Sequence, residues 1–164
     1  MTSPTRNFRS LEPGQQAPGF TLPAFPDGRI SLADYRGQMV LLVFYMGNFI
    51  KDPIPDQMRR STAFNLSALS ADTDKFDVLG IQVLAVARES RERHAALSRL
   101  LGLRFPLVCD TTGDLGVEYG VLAKNRWPPS SHWYDLYTTI FLIDRAGFVR
   151  LRLQTDFIRS PAPM

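Results

Sequence analysis

Two uninterrupted apolar runs place the strongest constraint on how this chain can fold. They span residues 39–45 (MVLLVFY) and 79–87 (LGIQVLAVA) and are rich in branched and aromatic side chains. Runs of strand length without polar alternation are typical of strands buried on both faces, in sheets that helices cover on each side. A helical pattern over residues 56–71 separates them. The positions sharing one face of that helix are Met58, Thr62, Leu66 and Leu69. The order strand, helix, strand predicts an α/β fold.

Shorter patterns complete the expected order of elements. A second helix is expected over residues 90–101, because Ser90 is a suitable N-cap and Gly102 a suitable stop. Two turns, at residues 23–28 (PAFPDG) and 145–147, favour hairpins. The other expected elements are strands at 20–22, 29–32, 107–109, 138–144 and 148–153 and a short helix at 114–119. We therefore expect a central mixed sheet with flanking helices.

Length and composition bound the class of protein. The chain has 164 residues, 45% hydrophobic and 21% charged, which fits a single domain over residues 1–164. Residues 1–12 are expected to form an irregular lead-in, and residues 154–164 an irregular tail containing two prolines. No apolar run approaches the roughly 18 residues of a membrane span, and the first ten residues lack the apolar core of a secretory signal. We therefore expect no membrane association and a cytoplasmic location.

Charge and cysteine content exclude further classes of function. The net charge is +3 and the arginines are scattered, so no nucleic-acid binding is expected. Cys109 is the single cysteine, which excludes an intramolecular disulfide, a CxxC pair and a multi-cysteine zinc site. The two histidines, His94 and His132, have no further ligands nearby in sequence. For these reasons we expect no metal and no cofactor, and ordinary surface or helix-packing roles for both histidines.

Six stretches of the chain, in order and nearly in spacing, resemble the peroxiredoxins, the thiol peroxidases of the AhpC/TSA family. They are residues 13–22 (PGQQAPGFTL), 27–45 (DGRISLADYRGQMVLLVFY), 82–94 (QVLAVARESRERH), 102–110 (GLRFPLVCD), 115–121 (LGVEYGV) and 139–147 (TIFLIDRAG). The bacterioferritin-comigratory type is the most similar. The resemblance implies a thioredoxin-like redoxin domain and an antioxidant oxidoreductase ancestry.

The chemistry that the resemblance implies needs four groups, and the sequence departs from all of them. The family has a shielding proline, a threonine and a peroxidatic cysteine after the first core strand, and an arginine before the last hairpin. The matching positions here are Met46, Ile50, Pro53 and Thr138. A small shift of the alignment would place Pro55 at the cysteine position or Tyr137 at the arginine position. Residues 46–60 contain no cysteine. Because proline has no nucleophilic side chain, the site is expected to be degenerate, with the chain acting as a non-catalytic binding or regulatory module.

Cys109 leaves an alternative open, an atypical thiol peroxidase or redox sensor. Arg104 is the nearest basic residue in sequence, whereas the adjacent Asp110 would raise the pKa of the thiol. A free cysteine more often behaves as a small buried apolar residue, and this is our expectation for Cys109.

Two further sets of residues have both a functional and an ordinary structural interpretation. An aromatic loop contains Trp127, His132, Trp133, Tyr134 and Tyr137, and it either binds a ligand or partner or caps the core. Together with Ile50, Pro53 and Thr138 it would form a new small-molecule pocket. Charged residues at 51, 52 and 56 (Lys51, Asp52 and Asp56) are interpreted as exposed loop charges rather than as acid–base catalysts.

The C-terminal sequence predicts an interaction surface. Members of the resembled family continue after the hairpin with a helix that packs on the sheet, but Pro161 and Pro163 prevent a sizeable helix here. We therefore expect the C-terminal helix to be missing and one face of the sheet to be partly uncovered. A homodimer or another protein partner is expected to cover that face.

Overall fold

A computed structural model of the chain describes residues 11–45, 65–121 and 138–155. The strands are β1 (Thr21–Phe25), β2 (Arg29–Ser31), β3 (Met39–Phe44), β4 (Ile81–Ala87), β5 (Leu107–Cys109), β6 (Thr138–Ile143) and β7 (Val149–Thr155). The helices are α1 (residues 65–71), α2 (Thr73–Val78), α3 (Arg91–Leu101) and α4 (Asp114–Glu118), with a 3₁₀ turn at Leu32–Tyr35. No helix in these ranges has both the length and the apolar character needed to cross a membrane.

The described strands form one mixed sheet in the order β2-β1-β5-β4-β3-β6-β7. β3, β4 and β5 run parallel to one another, and the other neighbouring pairs are antiparallel. This arrangement confirms the expected α/β fold with a central mixed sheet and flanking helices. The parallel strands place their carboxyl ends at one edge of the sheet, and this edge carries the site described below.

β3 and β4 lie at the centre of the sheet because both of their faces are apolar. Val40 and Leu42 belong to the core on one face, which is covered by α4 and by residues 11–20, the described lead-in before β1. Val43 and Val83 belong to the core on the other face, which the helices α1 and α3 cover. The two continuous apolar runs of the sequence therefore correspond to strands buried on both sides.

The predicted ends of α3 are confirmed. The hydroxyl of Ser90 accepts a hydrogen bond of 3.3 Å from the backbone N–H of Arg93, and Gly102 ends the helix in the left-handed conformation at φ 63°. Glycine adopts this conformation without the steric cost that a side chain would add. The chain then turns back towards β5.

Several boundaries differ from those expected, and tertiary pairing explains most of them. β1 extends to Phe25, into the segment expected to turn, because Ala24 and Phe25 pair with β5. β7 runs to Thr155, two residues into the expected tail, because Thr155 pairs with Thr138. β4 begins at Ile81 rather than at residue 79, because Gly80 adopts a left-handed turn conformation. The helix α2 was not expected from the sequence.

Candidate functional site

The carboxyl ends of β3, β4 and β5 bring titratable side chains together in the interior of the protein. Tyr45 follows β3, Glu89 follows β4, and Cys109 ends β5. All three are at least nine-tenths buried, and so is Asp110, the next residue. The end of parallel strands is the usual position of binding sites in α/β proteins.

Cys109 contacts His94, and this contact is the most specific feature of the site. The Sγ atom of Cys109 lies 3.3 Å from Nδ1 of His94, and both side chains are buried, with 2% and 0% exposure. Strand alternation explains the direction of the thiol, since Leu107 on the same face of β5 belongs to the core beneath α3. His94 reaches the thiol from the first turn of α3, one turn after the Ser90 cap.

Burial keeps both members of this pair neutral. Burial raises the pKa of the Cys109 thiol to about 11, and the positive charge of Arg91 offsets this shift only in part. Burial also lowers the pKa of His94 to about 4. A low-dielectric environment disfavours each charged form, so a neutral hydrogen-bonded pair is favoured over a thiolate–imidazolium pair.

Two further groups at this edge, Asp110 and Tyr45, have different surroundings. The carboxylate of Asp110 accepts hydrogen bonds from the backbone N–H groups of Leu115 and Gly116, at 3.1 and 2.9 Å, and so holds α4 against the end of β5. Burial raises the pKa of Asp110, and these two hydrogen bonds lower it in part. Burial, together with the neighbouring Glu89 and Cys109, raises the pKa of Tyr45 well above its usual value.

The described structure settles the positions of only some predicted site residues. Thr138 begins β6 and is buried, at the edge of the sheet where β3 ends. Cys109 is buried, as expected. Arg104, its nearest basic residue in sequence, instead pairs with Asp74 at 2.8 Å, and Arg91 is the cation that acts on the thiol. The other candidates lie outside the described residues: Met46, Ile50, Lys51, Asp52, Pro53, Pro55, Asp56, Trp127, His132, Trp133, Tyr134 and Tyr137.

The contact between His94 and Cys109 was not expected from the sequence. His94 is fully buried, which confirms a helix-packing role rather than a surface role. Local neighbours along the helix, Ser90 and Ser98, gave no sign of the contact, because its partner lies 15 residues away on β5. The available signal was topological, since a helix that follows β4 packs over the adjacent parallel strand. Across residues 11–45, 65–121 and 138–155, no group of three or more metal-ligating side chains converges.

Comparison with known proteins assigns the family. The sequence profile of the AhpC/TSA family matches residues 13–152. A Coxiella burnetii protein, named as the peroxiredoxin bcp, is 32% identical over 143 residues. The match covers 85% of this chain and 86% of that protein. A thioredoxin peroxidase of Echinococcus granulosus is 34% identical over 147 residues, covering 84% and 68% of the two chains.

Solved structures agree on the fold. The crystal structure of AhpC from Enterococcus faecalis superposes with a TM-score of 0.70 and 21% identity, over 90% of this chain and 82% of that one. The family match spans β1 to β6, the first part of β7 and the edge at which Tyr45, Cys109 and Thr138 lie. The chain belongs to the AhpC/TSA family of peroxiredoxins.

Proposed function

We propose that this chain is a non-catalytic member of its family that acts as a binding or regulatory module. The observation that carries the proposal is the state of Cys109, its single cysteine, which is buried, neutral and hydrogen-bonded to a neutral imidazole. A thiol peroxidase needs an accessible thiolate. With a thiol pKa of about 11, roughly one molecule in ten thousand would carry the thiolate at pH 7.

The residues at the family's active positions support the same proposal. Met46, Ile50 and Pro53 stand where the resembled family has proline, threonine and cysteine, and none of them supplies a hydroxyl or a thiol. Thr138 stands at the position of the arginine and is buried at the start of β6. A neutral hydroxyl at that position would not lower the pKa of a nearby thiol as a guanidinium does.

Peroxide consumption tests the proposal directly. The purified chain would be incubated with hydrogen peroxide and a thiol reductant at pH 7, beside the variant Cys109→Ser. We expect equal, background consumption by both proteins, and an intact mass of the wild type that gains oxygen no faster than an ordinary buried thiol. Saturable consumption that disappears in the variant would contradict the proposal and establish a peroxidase with one cysteine.

A second candidate, a thiol peroxidase or redox sensor that uses Cys109, is favoured by the position of His94. Nδ1 at 3.3 Å from Sγ is placed to accept the thiol proton, the role of the base in Cys–His pairs. The sulfur would attack one oxygen of hydrogen peroxide and the O–O bond would break. The leaving hydroxide would take the proton from His94 and form water, with a sulfenic acid left on Cys109.

The variant His94→Gln distinguishes the two candidates. If His94 is a base, the variant oxidises more slowly than the wild type, because the thiol loses its proton acceptor. If His94 serves only in packing, the variant oxidises at the same rate or faster, because the thiol becomes more accessible. The readout is the rate of mass gain at a fixed peroxide concentration, with urea unfolding checking that the variant remains folded.

We further propose that a homodimer or another protein partner covers part of one face of the sheet. Leu151 and Leu153 on β7, one of the two edge strands of the described sheet, are 42% and 49% exposed. They pair with Leu142 and Ile140 of β6, which are half-buried, so an apolar surface continues to the sheet edge. Exposed apolar patches of this kind commonly mark interaction surfaces.

Light scattering coupled to size-exclusion chromatography tests for the homodimer. A second copy predicts a dimeric mass that Leu151→Lys with Leu153→Lys returns to the monomer. A monomeric wild type at tens of micromolar, a concentration chosen as roughly sufficient for weak interfaces, would count against the homodimer.

We also propose a cytoplasmic location. The aromatic loop (Trp127, His132, Trp133, Tyr134 and Tyr137) remains a proposed contact for a ligand or partner.

A further inference from the structure

A second concave site lies at the opposite end of β3 from the Cys109 site. It is a pocket of about 110 Å³, bounded by the lead-in, by the 3₁₀ turn before β3 and by the turn between β6 and β7. Its apolar floor is formed by Leu32, Val40 and Ile143. None of the expected binding residues lines this pocket, and the proposed function does not use it.

The walls of the pocket are held in place by backbone hydrogen bonds between segments distant in sequence. The N–H of Gly37, beside the 3₁₀ turn, donates to the carbonyl of Arg145 at 3.0 Å. The N–H of Ala17, in the lead-in, donates to the carbonyl of Gly147 at 2.9 Å. Three separate segments are thus joined around one cavity. A cavity of this kind exists before any ligand arrives, which lowers the entropic cost of binding.

The charges at the rim select the kind of ligand. Arg36 and Arg145 both line the pocket and are exposed, and neither forms an ion pair within the described residues. Asp144 is the one carboxylate among the described lining residues, and it is already engaged by Arg150 and by the N–H groups of Ala146 and Phe148. Among the described lining residues, the rim therefore offers two unpaired cations and no unpaired anion.

Neutral hydrogen-bond donors add to this preference. The amides of Gln16 and Gln38 and the hydroxyl of Tyr35 line the same pocket, and none of these side-chain groups is hydrogen-bonded as a donor within the described structure. An anion can accept hydrogen bonds from such groups as well as from guanidinium groups, which bind carboxylates in a two-pronged geometry. The floor, by contrast, offers only apolar contact.

We propose that this pocket binds a small organic monocarboxylate, with the carboxylate held by Arg36 and Arg145 and a compact apolar body against Leu32, Val40 and Ile143. The volume limits the size of that body, since an apolar cavity of roughly 150 Å³ accommodates benzene. This pocket, at about 110 Å³, is smaller than that cavity, so a short branched chain fits within it and a single ring would extend partly into solvent. The site does not depend on peroxidase chemistry or on Cys109.

Nuclear magnetic resonance titration with benzoate tests the proposal, and benzamide is the matched neutral probe. Ligands of this size bind in the millimolar range, so titration would extend to about 50 mM. We expect benzoate to shift the amide signals of Gly37 and Gly147 saturably and benzamide to leave them unchanged. Equal shifts from both probes, or no saturable shift from benzoate, would overturn the proposal.

Two variants and a second anion complete the test. We expect Arg36→Gln with Arg145→Gln to weaken benzoate binding at least ~10-fold, because both charge-assisted hydrogen bonds are removed. Arg99→Gln, at an exposed arginine of α3, should bind as the wild type does. Unchanged binding in the double variant would overturn the assignment of the two arginines. Inorganic phosphate that binds as tightly as benzoate would overturn the role of the apolar floor.

Discussion

The hydroxyl of Tyr119 donates a hydrogen bond of 2.6 Å to the carbonyl oxygen of Pro18. Tyr119 follows α4 and is completely buried, whereas Pro18 belongs to the lead-in before β1. The ring of Tyr119 also lies 5.1 Å from that of Phe44 and 5.3 Å from that of Phe141, measured between centroids. One side chain therefore joins α4, the neighbouring strands β3 and β6 and the lead-in.

Replacing Tyr119 by phenylalanine is expected to destabilise the fold by about 1–2 kcal/mol, because the ring contacts remain but the carbonyl of Pro18 loses its donor. Urea unfolding at pH 7 measures this change. Tyr35→Phe is the matched control, since no hydrogen bond from the Tyr35 hydroxyl occurs within the described residues. An equal loss in both variants would show that the hydrogen bond is not the cause.

The stability of the protein is expected to fall as the pH decreases from about 6.5 to about 4. The pKa of His94 in the folded state is about 4, below its ordinary value of 6.5. As the pH falls through this window, His94 is therefore protonated in the unfolded chain but still neutral in the folded one, which favours unfolding. The loss attributable to His94 is roughly 3 kcal/mol over the whole window. Urea unfolding of the wild type and of His94→Gln at pH 7 and pH 4.5 should show a smaller loss in the variant. Parallel losses would mean that other groups carry the pH dependence.

Arg91→Lys is expected to destabilise the protein by about 1–2 kcal/mol. The guanidinium group donates to the carbonyls of Ala24 and Pro26, at 3.0 and 3.3 Å, and lies 5.6 Å from the centroid of the Phe25 ring. An ammonium group cannot reproduce this forked and stacked geometry. Thermal unfolding gives the change, and Arg99→Lys on the exposed side of the same helix should behave as the wild type does.

Gly102→Ala should cost about 1–2 kcal/mol, because the residue ends α3 at φ 63° and a side chain is strained there. No heavy atom lies within 4 Å of the position that a Cβ would occupy, so the cost comes from the backbone and not from a clash. Gly28→Ala has equally open surroundings without a positive φ and serves as the control in urea unfolding. Comparable stabilities of the two variants would refute the argument from backbone strain.

The elements that could be predicted from the sequence are those whose signals are local. Each of these signals depends only on residues close by in the sequence: the apolar runs of β3 and β4, the Ser90 cap and the Gly102 stop. The extension of β1 to Phe25 was missed because it depends on pairing with β5, which no local pattern encodes.

The candidate site was only partly predictable for the same reason. Burial of Cys109 follows from the ordinary behaviour of a free thiol in an apolar strand, and it was expected. Its contact with His94 arises from packing between α3 and β5, and so does the neutral state of both groups. The pocket beside Arg36 and Arg145 is likewise built from three segments that only the fold brings together.

The position of β3 between β4 and β6 has a consequence for synthesis on the ribosome. β3 can pair with β4 soon after both have emerged, since the two are parallel neighbours separated by only α1 and α2 among the described elements. The other edge of β3 stays unpaired until β6 has been synthesised, because Val40 pairs with Ile143, near the end of the described chain. A nascent chain therefore presents an unpaired, apolar strand edge until the final hairpin is made, and this interval is when chaperone protection matters most.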